Sequence, residues 1–246
     1  MHRHIYESNQ IILELSLDAK AAKPQAEERV FMTVPSTWET IYAQGGQLNR
    51  YPFSDCVSFF MRRWARGVPN GFHALDVGCG SGVHSKFFAS HGSRVSAFDF
   101  SPSAIEAAKH HCPDSAISYQ TASFDSFDPG EAKFDFVFDR LSTTHSSMDQ
   151  VARFYQRLRA SLAPGAQVFW QGFHWGNSGR NFGVYEPEQQ RWNMFSEGVF
   201  RNLGPTVFFK ESDLERVFEG YQFDSKRILS AMIPTAGIRI VIGCWS

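Results

Sequence analysis

Leu75-Asp76-Val77-Gly78-Cys79-Gly80-Ser81-Gly82 is the stretch whose reading decides the fold. Ala74, Leu75 and Val77 give it the character of a strand, and three glycines then follow at alternate positions. The run from Val83 to Ala89 reads as a helix that stops at Gly92. A strand, a glycine turn and a helix in that order make a crevice of the nucleotide-binding kind. Glycine lets the backbone approach a ligand closely, and a helix N-terminus presents unpaired N–H groups. Spacing limits which ligand fits. A dinucleotide fingerprint, G-x-G-x-x-G, needs its third glycine where Val83 stands; here the glycines run G-x-G-x-G, with Asp76 two residues ahead of the first.

The next elements strengthen the reading. Arg94 to Phe98 is a second apolar strand closed by Asp99, an acid placed to accept hydrogen bonds from both hydroxyls of a ribose. Phe100-Ser101-Pro102 then opens a helix, with Ser101 suited to the N-cap and Pro102 to the first helical position. Ile117 to Thr121 reads as a third strand and Phe134 to Arg140 as a fourth, with Asp139 at its carboxyl end, the edge at which open α/β sheets bind ligands. Met148 to Leu162 is a helix with Val151, Phe154, Tyr155 and Leu158 on one face. Val168 to Phe173 is a fifth strand, Glu211 to Phe218 a helix capped at Ser212 or its neighbour, and Tyr221 to Leu229 with Ile238 to Cys244 a terminal hairpin. Upstream, Ser54 to Ala65 is an amphipathic helix, while residues 1 to about 30 are weakly patterned, with Ile11 to Leu17 readable as strand or helix.

Composition sets outer bounds. A chain of 246 residues buries one sizeable core. A charged fraction of 20% and a net charge of -1 argue against disorder and against a nucleic-acid face. Cys56, Cys79, Cys112 and Cys244 lie far apart with neither metal-ligand spacing nor disulfide density, so the thiols are expected reduced and no metal is expected. With no signal-peptide pattern and no run long enough to span a bilayer, the expectation is a cytoplasmic protein.

Asp76 to Gly82 resembles motif I of the class I S-adenosylmethionine (SAM) dependent methyltransferases, commonly D-x-G-x-G-x-G. The W-x-x-x-Y…N-R-Y-P arrangement beginning at Trp38 resembles the leader of a bacterial subgroup of small-molecule methyltransferases. F-D-x-V-F-D-R at Phe134 to Arg140 is also family-like, as is the turn Leu162-Ala163-Pro164-Gly165-Ala166, in which Ala166 replaces the second glycine of L-x-P-G-G. The resemblance runs from about Trp38 to the C-terminus, with its strong motifs between Ala74 and Gly165. It implies an α/β, Rossmann-like, seven-stranded, mostly parallel sheet with helices on both faces and an antiparallel last strand. It also implies an N-terminal helical arm over residues 1–70, a SAM domain over 71–246, and a single compact unit.

For the cofactor the resemblance implies a site made by Asp76, Gly78, Cys79, Gly80, Gly82, Asp99, Phe100, Asp139 and Arg140, closed by Arg50 and Trp38. Adenine is usually held by an acid after the third strand, and here Ser123 stands in that place. Ser123 through its hydroxyl or backbone, stacking on Phe124, or Asp125 are the alternatives. In related enzymes the loop Asp139-Arg140…His145 lines the junction of cofactor and acceptor, so His145 is the first candidate for a general base, with Asp139 and His174 next. Residues 174–210 are the least family-like and are expected to form an acceptor lid or a structural cover. The expected partner is a small-molecule acceptor methylated on oxygen or, next, nitrogen. A SAM-fold binding protein without transfer activity, and an NAD-dependent oxidoreductase, are the other readings.

Overall fold

The computed structural model describes residues 37–229 and 237–243. The weakly patterned N-terminal segment, including Ile11 to Leu17, lies outside the described residues, as does Cys244. In chain order the elements are α1 (Thr37–Ala43), α2 (Ser54–Trp64), β1 (His73–Val77), α3 (Val83–Ser90), β2 (Arg94–Asp99), α4 (Pro102–His111), β3 (Ile117–Thr121) and β4 (Phe134–Arg140). Then come α5 (Met148–Leu158), β5 (Leu162–His174), β6 (Val184–Glu186), β7 (Arg191–Asn193), β8 (Phe208–Phe209), α6 (Glu211–Val217), β9 (Gln222–Leu229) and β10 (Gly237–Gly243).

The main sheet runs β3-β2-β1-β4-β5-β10-β9. Pairings from β3 through β5 are parallel, whereas β10 is antiparallel to both β5 and β9. The chain steps outward from β1 to β2 and β3, then returns to place β4 on the other side of β1. This reversal opens a crevice above the carboxyl ends of β1 and β4, where α/β sheets bind their ligands.

Period-2 alternation explains how the sheet is covered on both faces. From β1, Leu75 and Val77 point with Val137, Val168 and Trp170 into one core, filled by Val151, Phe154, Tyr155 and Leu158 of α5 and Leu214 and Val217 of α6. Ala74 points the other way with Val95, Phe136, Phe138 and Phe169 into a second core, filled by Phe59 and Phe60 of α2, Phe88 of α3 and Ile105 of α4. Much of the phenylalanine content serves this second layer, where the Phe60 ring meets Phe88 at 5.2 Å and Phe136 at 5.7 Å. Residues 54–64 thus pack directly on the sheet as part of that core.

Two local expectations change. The sheet has eight strands rather than seven. Phe173 pairs with Gly237 on one edge and with Phe208 on the other, so β8 takes up the edge that β4 leaves at Arg140. β5 begins at Leu162 instead of Val168, because the Pro164–Gly165 turn is absorbed as a bulge between the Phe134↔Leu162 and Phe136↔Gln167 pairs, with Gly165 at φ 75°. Of the two caps expected for α6, Ser212 or its neighbour, it is the neighbour Asp213 that reaches back, accepting from the Lys210 N–H at 2.7 Å.

Between β5 and α6 the chain builds a small layer of its own. A 3₁₀ turn (Ser178–Phe182) leads into the β6–β7 hairpin, and Trp192, Phe195, Phe200 and Phe208 form a third apolar cluster with Phe173, Trp175 and Leu203. Hydrogen bonds from Met148 N to Gln189 O and from Val207 N to Thr144 O tie this layer to the segment between β4 and α5. Among the described residues no helix is long and apolar enough to cross a membrane.

Candidate active site

The glycine loop between β1 and α3 is held by backbone and by one carboxylate. Gly78, Gly80 and Gly82 all lie at positive φ (63°, 52° and 79°), a region that L side chains adopt at a cost. Each also faces a close neighbour. A Cβ would stand 2.3 Å from Ser142 Cβ at Gly78, 2.5 Å from the Tyr42 hydroxyl at Gly80 and 2.5 Å from the Tyr119 hydroxyl at Gly82. Cys79 N donates to Phe98 O at 2.9 Å, stitching the loop to β2.

Asp99 completes the loop. Its Oδ2 accepts from Gly80 N at 3.0 Å and its Oδ1 from Ser101 N at 2.9 Å. An ionised carboxylate has about four acceptor positions, so each oxygen retains capacity for a ligand hydroxyl. Ser101 caps α4 as expected, accepting from Ala104 N at 3.0 Å. Asp76 is buried and accepts from Ser85 Oγ at 2.6 Å. Burial, reinforced by the neighbouring Asp99 and Asp139 charges and opposed by Ser85, lifts its carboxyl to about 7. Burial also pushes Asp99 and the Cys79 thiol upward, so Cys79 is a small loop residue rather than a reactive thiolate.

Around this loop lies a cleft of about 540 Å³. It brings together Asp76, Gly78, Cys79, Gly80, Asp99, Phe100, Ser123, Phe124, Arg140, Trp38 and His145 from the sequence reading. Phe100 keeps 37% of its surface exposed, as a ring offered to a ligand rather than packed in the core. Phe124 stands edge-on to Phe98 at 6.1 Å and to Phe154 at 5.6 Å. The Ser123 hydroxyl accepts from Ser126 N at 3.1 Å and the Ser123 N–H donates to Ser126 Oγ at 2.8 Å, which leaves the Phe124 ring for the adenine end. Asp125 also lines the cleft, but its Oδ2 already accepts from Gln150 Nε2 at 2.8 Å.

Four assigned residues stand elsewhere. Gly82 shapes the loop without lining the cleft. Arg50 is exposed and does not line it either. His174 accepts from Gly176 N at 3.1 Å in the turn after β5 and is likewise off the cleft. Asp139 is fully buried, accepting from Ser142 N at 3.0 Å, Thr143 Oγ1 at 2.5 Å and Tyr155 Oη at 2.7 Å. These donors fill its lone pairs. It holds the turn after β4 in shape, where Leu141 takes a φ of 66° and Ser142 Oγ donates to Val77 O at 2.7 Å. That turn presses Ser142 against Gly78 and presents His145.

His145 lines the cleft with its tautomer set by its surroundings. Pro205 O, 3.1 Å from Nδ1, can only accept, so Nδ1 carries the proton and Nε2 is left as an acceptor. Burial lowers the imidazole to about 4, which keeps it neutral near pH 7. Its ring lies 4.9 Å from Trp38 and 6.2 Å from Phe173.

Further residues complete the cleft. His84, at the start of α3, accepts from Phe53 N at 3.2 Å and stacks on the Phe53 ring. Tyr42 lies against Gly80. Arg140 places its guanidinium 3.5 Å above the Phe53 ring and 3.8 Å from Asp55. Arg191, Leu203 and Pro205 come from the layer between β5 and α6. α1 itself is fastened to the start of α4, where Glu39 accepts from Ser101 Oγ at 2.5 Å and Ser103 Oγ at 2.6 Å. Those bonds hold its carboxyl below the usual range.

Comparison with known proteins agrees with this geometry. Residues 74–165 match the family described as a methyltransferase domain. The ubiquinone biosynthesis O-methyltransferase of Coxiella burnetii (strain RSA 493 / Nine Mile phase I) is 32% identical over 117 residues, 47% of this chain and 47% of that one. That of Bradyrhizobium sp. (strain ORS 278) is 35% identical over 112 residues, 45% and 43% of the two chains. The chain thus spans about half the length of the curated relatives it matches. The N-methyltransferase NodS from Bradyrhizobium japonicum WM9, solved with S-adenosyl-L-homocysteine, has the same fold at a TM-score of 0.61 and 16% identity, covering 85% of this chain and 98% of that one. So does the 1,6-didemethyltoxoflavin-N1-methyltransferase of Burkholderia thailandensis, at a TM-score of 0.62 and 15% identity, covering 92% and 94%. The segment that carries the glycine loop, Asp99 and the β1/β4 crevice thus matches the methyltransferase-domain family, and the chain has the fold of these methyltransferases.

Proposed function

We propose that this protein transfers the methyl group of SAM to an oxygen of a small-molecule acceptor, with His145 taking the acceptor's proton. The carrying observation is the Asp99 carboxylate, which accepts from Gly80 and Ser101 and keeps acceptor capacity toward the cleft beside three left-handed glycines. The residues present suit SAM. Asp99 would take the ribose hydroxyls, the glycine loop would lie along the amino-acid end, and Phe100 and Phe124 would hold the adenine. The charge also suits it. Asp76 and Asp99 line the cleft and Asp139 lies close behind, a set that favours a cationic ligand and repels a pyrophosphate.

SAM supplies a methyl group on a positively charged sulfur that departs as a neutral thioether, so the protein needs no acid. The acceptor oxygen bonds to the methyl carbon while the carbon–sulfur electron pair stays on sulfur. The hydroxyl proton passes to His145 Nε2, which later releases it to solvent. An alkylated hydroxyl is a far stronger acid than an imidazolium, so a weak base suffices, and the remaining rate comes from aligning the two substrates. The curated relatives' name, ubiquinone biosynthesis O-methyltransferase, supports oxygen as the acceptor atom.

Calorimetry tests the cofactor reading. SAM should bind and NADH should not, and Asp99→Ala should weaken SAM at least about thirtyfold, roughly 2 kcal/mol for a lost charged hydrogen-bonding partner. NADH binding with no SAM binding would sink it. Asp76 adds a pH dependence. Its carboxyl sits near 7 in the free protein, and a cation in the cleft favours the ionised form. Affinity for SAM should therefore rise as pH increases from 6 to 8 and level off above, with protons released on binding. In Asp76→Asn that rise should vanish; an unchanged slope would assign it to another group.

A further inference from the structure

The wall at the adenine end of the cleft is held from outside it. Ser123 to Ser126 form a closed turn after β3, in which Ser123 N donates to Ser126 Oγ at 2.8 Å and Ser126 N to Ser123 Oγ at 3.1 Å. The flanking rings are packed, Phe124 edge-on to Phe154 at 5.6 Å and Phe127 stacked on Phe98 at 4.1 Å. The tip of the turn is not. It borders a second cavity, of about 320 Å³, lined by Asp125, Ser126, Phe127, Asp128, Phe154 and Arg157. Side chains of α5 hold this tip. Gln150, Arg153 and Arg157 follow one another at three- and four-residue steps and so share a helix face. Gln150 Nε2 donates to Asp125 Oδ2 at 2.8 Å, and Arg153 Nη2 lies 3.8 Å from Asp125 Oδ1. Arg157 takes the backbone instead: its Nη1 donates to Asp125 O at 2.9 Å and its Nη2 to Phe124 O. Asp125 lines both cavities, whereas Arg157 does not line the cleft.

We infer that Arg157 is a positioning residue for the cofactor: by holding two successive carbonyls it sets the peptide groups that meet the purine, and so selects adenine without touching the ligand. The inference rests on the SAM reading above. In a trans peptide the C=O and N–H point opposite ways, and no cis bond occurs among the described residues. With Asp125 O drawn to Arg157, the Ser126 N–H is turned back onto Ser123 and closes the turn. With Phe124 O drawn to the same guanidinium, the Asp125 N–H is directed away from α5, where it meets no acceptor among the described residues. Because Asp125 lines the cleft, this N–H is a donor offered to the edge of the base. Adenine N1 has a lone pair to receive it. In hypoxanthine the same nitrogen carries a hydrogen, which would set donor against donor. A guanidinium suits the task, since its planar fork makes two bonds in one fixed geometry and its charge strengthens each.

Calorimetry on the intact protein tests this with S-adenosylhomocysteine and S-inosylhomocysteine, which differ only in the purine. The parent should favour the adenosyl compound by about tenfold or more, the worth of a hydrogen bond made to one base and denied to the other. Arg157→Ala should weaken S-adenosylhomocysteine about tenfold and bring the two ligands within about threefold of each other. Arg157 is exposed, so the variant should stay folded, and a loss of stability alone would leave that ratio unchanged. Arg153→Ala is the control. Its contact with Asp125 is long and open to solvent, and pairs of that kind are worth little, so both affinities should stay within about twofold. A parent that does not distinguish the two ligands, an unchanged ratio in Arg157→Ala, or an equal fall in Arg153→Ala would overturn the inference and leave the SAM reading standing. Absence of S-adenosylhomocysteine binding by the parent would overturn both.

Discussion

Gly80→Val should abolish SAM binding, weakening it by at least a hundredfold, while the protein stays folded. Two independent physical costs meet at this position. The φ of 52° lies in the left-handed region, where a β-branched side chain is strained by about 1–2 kcal/mol or more. A Cβ would also stand 2.5 Å from the Tyr42 hydroxyl, which has little room to retreat because α1 is tied to α4 through Glu39. Relief must come from the loop, and moving the loop breaks the 3.0 Å bond from Gly80 N to Asp99. The cradle and the ribose carboxylate are then displaced together, and a loss of about 3 kcal/mol, a hundredfold in Kd, is a conservative expectation. Gly130→Val separates these effects. Gly130 has nearly the same φ, 57°, but a Cβ there meets nothing within 4 Å, and the residue does not line the cleft. This second variant should lose some stability and keep SAM affinity. Equal affinities in Gly80→Val and the parent, measured by calorimetry, would remove the glycine loop from the binding site.

The same positions show why part of the site was legible in the sequence and part was not. The glycine loop, Asp99 and the Ser101 cap follow from short-range rules about which residues tolerate a left-handed turn, close a strand or cap a helix, and every one of those rules acts within a few residues. The contacts of the loop do not. Gly80 meets Tyr42 and Gly78 meets Ser142, partners distant in sequence that are brought together by α1 docking and by the β1–β4 pairing. Nothing in the local pattern around Tyr42 distinguishes a ring that closes a cleft from one that fills a core. Asp139 is the opposite case. Its place at the end of β4 is correct for a ligand, but three donors from Ser142, Thr143 and Tyr155 have already claimed it, and one of them comes from α5. Arg50 and His174 show the same limit, since position near a motif does not say which way a side chain leaves the backbone. Arg191, Leu203 and Pro205 had no signal beyond membership of a stretch unlike the family. That stretch proved to contribute a wall, through an aromatic cluster whose members are recruited from both sides of the β6–β7 hairpin.

His145→Ala should cost between about a hundredfold and a thousandfold in kcat, the range expected for removing a positioned general base, with SAM affinity within twofold of the parent. The prediction follows from the orientation of the ring. Pro205 O fixes the proton on Nδ1, and Trp38 and Phe173 confine the plane, so the acceptor nitrogen is presented without a further rearrangement. The pH profile carries a signature that a structural role would not. An imidazole in the usual range would lose base function below about pH 6.5. With His145 lowered to about 4 by burial, the neutral form persists through mild acid. The His145-dependent limb of kcat should therefore stay flat from about pH 8 down to about 5 and fall only as pH approaches 4. His145→Gln, which keeps a hydrogen-bonding group without a basic nitrogen, should match the alanine variant in kcat while restoring more of the thermal stability. A loss of less than tenfold in both variants, with fold and SAM binding intact, would reject His145 as the base. The methyl transfer would then depend on alignment of the acceptor alone.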